Sequence, residues 1–67
     1  MFVIEVEREA DARWLAEIAS LAGALAYGNT EAEARAAVSA LALRIIADRI
    51  EHGEPVPPET EGLFAAA

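Results

Sequence analysis

Cysteine is absent from this 67-residue sequence, which excludes disulfides and thiolate metal sites. His52 is the one histidine, so most zinc, copper and iron ligand sets are excluded with it. Basic side chains are scarce as well: five against twelve acidic ones give a net charge of −7. That balance repels phosphate backbones, so direct binding of nucleic acid by this chain is not expected, and it suits a basic partner. Long apolar runs are missing; Ala40–Leu43 falls far short of the roughly 20 residues that span a bilayer. The opening Met1-Phe2-Val3-Ile4-Glu5 has no basic residue ahead of an apolar segment, so no secretory leader is expected. The protein reads as soluble and cytoplasmic, with no membrane partner.

What is present points to one domain, residues 1–67. A chain of this length buries only about 60% of its unfolded surface. Small folds make up that deficit with disulfides, metals or partner chains, and association is what remains here. The composition is 55% hydrophobic, too apolar for a disordered chain. Much of that is alanine, which favours helix but supplies little core volume.

Residues 2–7 alternate, with Phe2, Ile4 and Val6 on one face and Val3, Glu5 and Glu7 on the other. A period of two with β-branched residues predicts a half-buried strand. Arg8–Ala12 is polar enough to turn. Arg13–Ala19 then alternates again, placing Trp14, Ala16 and Ile18 together, so the two runs form an antiparallel hairpin. Ser20–Gly23 is a second turn and Ala24–Tyr27 a short third strand, ended by Gly28-Asn29. In that strand Leu25 and Tyr27 point away from Ala24 and Ala26, which makes the pair candidate partner-binding residues. Trp14 is most simply core.

Thr30-Glu31-Ala32-Glu33 is a capping box. The Thr30 hydroxyl can accept from the Glu33 amide while the Glu33 carboxylate reaches back to the Thr30 amide. No glycine or proline interrupts the run to Glu51, which predicts a helix about 30 Å long. Gly53 stops it, and Pro55, Pro57 and Pro58 forbid continuation. Val38, Leu41, Ala42 and Ile45 share one apolar stripe; Leu43, Ile46 and Ile50 form a second, displaced around the cylinder. Together they span roughly 200°, about twice what one sheet contact needs. Leu63 and Phe64 of the chain's own tail could cover the second stripe, but it is expected to meet another chain, making Leu43, Ile46 and Ile50 candidate oligomer-interface residues. After the helix, Pro55–Pro58 is expected to be extended, compatible with a short fourth edge strand, and 59–67 to form a flexible tail. The predicted fold is α+β, with order β-β-β-α: a three-stranded antiparallel sheet, one long helix and a short extended C-terminal segment.

No catalytic constellation emerges from these residues. Ser20 and Ser39 have no histidine nearby in sequence, and His52 at the helix C-terminus suits a cap better than a general base. Glu5, Glu7 and Glu17 share a strand face where a divalent cation could sit, but solvation is the commoner fate of such a face. Arg13 is available there to pair across strands. An enzyme is not expected, nor a cofactor or metal.

Taken in order, these segments resemble the HicB-family antitoxins in their short form. The resemblance lies in Val6-Glu7-Arg8-Glu9, Trp14-Leu15-Ala16-Glu17-Ile18 and Leu21-Ala22-Gly23. It continues through Tyr27-Gly28-Asn29-Thr30-Glu31-Ala32-Glu33-Ala34 and His52-Gly53-Glu54-Pro55-Val56-Pro57, and so covers nearly the whole chain. Three positions depart from the family pattern: Ala22 replaces the usual turn proline, Asn29 an aspartate, and Ala32 the first of two glutamates. The resemblance implies a truncated RNase H-like fold without the nuclease carboxylates. It also implies neutralisation of a small basic HicA-like toxin that cleaves messenger RNA, and assembly into dimers or tetramers. Many family members carry a further DNA-binding module; none lies within residues 1–67, so operator binding is not carried over.

Overall fold

The computed structural model describes residues 1–66. Three strands, β1 (Glu5–Arg8), β2 (Trp14–Glu17) and β3 (Leu25–Gly28), precede a helix, α1 (Glu31–Glu51), and a C-terminal 3-10 helix (Pro58–Leu63). The sheet has the order β1-β2-β3 with both pairings antiparallel, so the β-β-β-α architecture read from the sequence is the one observed. Glu5 lies opposite Glu17 and Leu25, and Glu7 lies opposite Leu15 and Tyr27.

Strand ends follow from hydrogen bonding. β2 stops pairing with β1 at Glu17, so residues 2–4 have no ladder partner although their alternation of exposure continues. Beyond Glu17, the Ile18 amide donates to the Ala24 carbonyl and the Leu21 amide to the Ile18 carbonyl, at 3.0 and 3.1 Å. That turn tucks Leu21 into the core, where it and Val38 are the largest fully buried side chains. The β1–β2 connection closes through Glu9 N–H to Arg13 C=O at 2.7 Å and needs a left-handed backbone at Ala12, with φ of 70°.

The helix begins as its capping residues dictate. Thr30 is extended, and its hydroxyl accepts from the Glu33 amide at 3.1 Å. The reciprocal half of the box shifts by one residue: the Glu33 carboxylate accepts from Asn29 N–H at 2.9 Å, because the bend after β3 presents that amide. At the other end Gly53 takes φ of 67°, its amide donates to Ile50 C=O, and the Glu54 amide donates to Arg49 C=O. This is a Schellman termination, which uses the glycine as the sequence suggested.

Packing then sorts the apolar residues. Ala34, Val38, Ala42 and Ile46, spaced four apart, are the buried stripe of α1. They meet Ala16, Ile18, Leu21 and Ala24, and half of these eight core residues are alanine. The helix therefore sits close to the sheet. It lies mainly over β3 and β2 and only grazes β1. Three expectations need correction. Ile46, expected at an interface, is 3% exposed, because the stripe facing the sheet runs through positions 38, 42 and 46. No fourth strand forms at Pro55–Pro58, where prolines remove ladder donors. The expected tail 59–67 is instead a 3-10 helix as far as Leu63, with Thr60 buried and Pro58 starting the turn; Ala67 lies outside the described residues.

Two backbone positions give opposite outcomes. A Cβ at Gly28 would lie 2.4 Å from the Ala34 amide nitrogen, so Gly28→Ala pushes helix and sheet apart. The expected cost is about 2 kcal/mol or more by urea denaturation. Ala12→Gly removes a left-handed strain and raises stability by up to about 1 kcal/mol, roughly 4–8 °C in Tm for a domain of this size.

Candidate functional site

The outward face of the sheet is built by alternation. Glu5 and Glu7 come from β1, Leu15 and Glu17 from β2, and Leu25 and Tyr27 from β3. The register divides this face in two. Glu5, Glu7 and Glu17 cluster on the β1 side around a shallow cleft of about 100 Å³, while Leu15, Leu25 and Tyr27 make an apolar patch toward β3. Leu25 and Tyr27 are 43% and 45% exposed, in the orientation their alternation predicted. No group of three or more acidic or histidine side chains among the described residues has metal-binding geometry.

Tyr27 is held from above. The Arg13 guanidinium lies 4.3 Å from the centre of its ring, a cation–π contact of about 0.5–1 kcal/mol at an exposed site. Asp11 fixes Arg13 in turn: its carboxylate accepts from the Arg13 amide at 3.2 Å and from Nε at 2.7 Å. Arg13 thus pairs within its own turn and not across strands with the glutamates. Both bonds favour the charged carboxylate, and the Arg13 amide followed by its side chain holds the Asp11 pKa below the ordinary aspartate value. This Asp11–Arg13–Tyr27 arrangement is not legible in the sequence, since it joins the β1–β2 turn to a strand that follows a second turn.

A second apolar surface lies on the opposite side of the sheet. Ahead of β1, Phe2 and Ile4 join Ile18, Leu43, Ile46 and Leu63 in lining a groove of about 260 Å³. It continues along the helix past Ala47, Ile50 and Phe64. Leu43, Ile50 and Phe64 are exposed, whereas Ile46 forms only the groove floor. Of the five residues expected to bind a partner, Leu25 and Tyr27 share one surface and Leu43 and Ile50 the other. Leu63 and Phe64 join the second surface, as the alternative in which the tail covers the helix anticipated. The Glu59 carboxyl at the tail's base is also held below its ordinary value, chiefly by the Ser20 hydroxyl.

The remaining candidates for chemistry are occupied locally. The Ser39 hydroxyl donates to Arg35 C=O at 2.7 Å, and His52 is the helix C-cap, its Nδ1 2.7 Å from Asp48 C=O. No described helix is long and apolar enough to cross a membrane. No family model matches the chain, nor does any curated protein or solved structure.

The Asp11 contact sets a pH dependence. Because its folded pKa is lowered, the stabilisation is complete above the ordinary aspartate value and is lost as pH falls through the lowered one. A carbon-detected NMR titration should give Asp11 a midpoint below ordinary aspartate. Arg13→Ala should raise it part of the way, since the backbone amide remains. An unchanged midpoint in that variant would contradict the contact.

Proposed function

We propose that this chain is an antitoxin-type protein-binding module that acts in the cytoplasm and neutralises a HicA-like, mRNA-cleaving toxin by occluding its surface. One observation carries the reading: the exposed Leu25 and Tyr27, with the half-buried Leu15, form an apolar patch beside the carboxylates of Glu5, Glu7 and Glu17. Protein interfaces combine an apolar, often aromatic centre with charged surroundings that steer the partner. A net charge of −7 selects a basic one, and a small basic ribonuclease fits. The order of sequence segments resembling HicB antitoxins supplies the toxin's identity.

Co-expression of the chain should restore growth to cells expressing a HicA-like toxin. Tyr27→Ala, together with Leu25→Asp, should abolish that rescue while leaving the fold intact. For the single Tyr27→Ala variant, a central aromatic anchor predicts toxin binding weakened by about thirtyfold. Rescue undiminished in the double variant would overturn the assignment of this face.

A second reading, an orphan homo-oligomeric HicB-like protein of structural or regulatory role without a toxin, is favoured by the surface area. The chain exposes 4689 Å². A monomer of 7.1 kDa is expected to expose about 4100 Å². The excess of about 600 Å² approaches the roughly 800 Å² that one partner contributes to a standard interface. Dimers or tetramers formed through Leu43, Ile50 and Phe64 would cover it. Sedimentation equilibrium should then report an oligomer that Leu43→Glu with Ile50→Glu converts to monomer; a monomer at high micromolar concentration in the unsubstituted chain removes this reading.

A further inference from the structure

β1 is one edge of the sheet, and its outer side is unpaired among the described residues. The ladder decides which groups that edge offers. Glu9 N–H bonds to Arg13 C=O, so by antiparallel alternation Glu5, Glu7 and Glu9 direct their backbone groups toward β2. Val6 and Arg8 then direct theirs outward, free to receive another strand. An incoming strand would find different surroundings on its two faces. On the outward face it would run beside Glu5 and Glu7, with Glu17 one strand further in. On the inward face it would run beside Val6 and Arg8 and, ahead of β1, beside Ile4 and Phe2, which with Ile18 and Leu43 line the apolar groove.

The same charges choose among occupants. Pairing β1 with β1 of a second copy would set Glu5 and Glu7 against their equivalents, and like charges directly opposite are destabilising. Acidic side chains on a short edge strand are a recognised protection against such pairing. Toward a basic strand they become cross-strand ion pairs. The second edge, β3, carries Leu25 and Tyr27 outward and offers no charge to select a partner.

We propose that the open edge of β1 accepts an extended segment of a basic protein partner as a fourth strand, in which lysine or arginine alternates with apolar residues. The basic positions face Glu5 and Glu7, and the apolar positions cover Val6 and the groove at Ile4 and Phe2. This deepens the protein-binding reading above and rests on it. Strand addition derives affinity from main-chain bonds and specificity from alternate side chains, so the pattern and not a unique sequence is recognised.

Short synthetic peptides test the edge without any toxin. A peptide alternating lysine and valine should bind the full chain and move the NMR amide signals of Val6 and Arg8. A peptide alternating glutamate and valine should not. Glu5→Lys with Glu7→Lys alters only exposed side chains, so the fold should persist; it should weaken the lysine peptide at least about tenfold and transfer preference to the glutamate peptide. Arg8→Pro removes an outward N–H while making the edge more acidic, and should still weaken binding. The proposal is overturned if the doubly reversed variant binds the lysine peptide as tightly. It is equally overturned if shifts appear only around Leu43, Ile50 and Phe64, or if two copies pair through Val6 and Arg8 without peptide. A chain that binds a HicA-like toxin yet ignores the peptides loses this edge assignment and keeps the protein-binding reading.

Discussion

The close seating of α1 on the sheet is the constraint from which the remaining features follow. Gly28 leaves no room for a side chain against Ala34, and alanines at 16, 24, 34 and 42 line the seam. Such a seam packs densely but removes little apolar area from water, and burial scales with that area. Its large buried side chains are Leu21 and Val38 with Ile18 and Ile46. The bulky residues are left outside: Leu25 and Tyr27 on one side, Leu43, Ile50 and Phe64 on the other. The chain has no cysteine and, among the described residues, no metal-binding cluster, so its small core is not reinforced by either.

The helix placement also divides labour across the molecule. Because α1 lies over β3 and β2, it stiffens the half of the sheet whose outer face carries Tyr27, and it leaves β1 with an open edge and a half-covered inner face. The acidic residues sit on that open half. Charge and apolar surface are therefore side by side on the outer face, where the Arg13 guanidinium, held by Asp11, lies over the Tyr27 ring. We propose that this combination serves recognition of a basic protein, with the antitoxin role as the best-supported setting.

Much of the fold was legible because its signals are local. Alternation set the faces of all three strands, and Thr30, Glu33 and Gly53 set the helix ends. What escaped depended on three-dimensional partners. Ile46 reads as part of a surface stripe by helical angle, yet the helix is rotated so that 38, 42 and 46 face the sheet. The tail after Pro58 gives no periodic signal, and its 3-10 turn is ordered by packing Thr60 and Leu63 against the body of the protein. Of the candidate site, Leu25 and Tyr27 were readable from period two; the acidic cluster beside them was visible in part; the grip of Arg13 on Tyr27 was not, since it joins residues fourteen positions apart by sequence number.

Titration calorimetry of the full chain with a HicA-like toxin, repeated at raised salt, measures recognition of the basic partner itself. Saturable binding at micromolar affinity or tighter is expected, weakened by salt and accompanied by a negative heat-capacity change from the buried apolar patch. Absence of binding to any cognate HicA-like toxin at high micromolar concentration would contradict it.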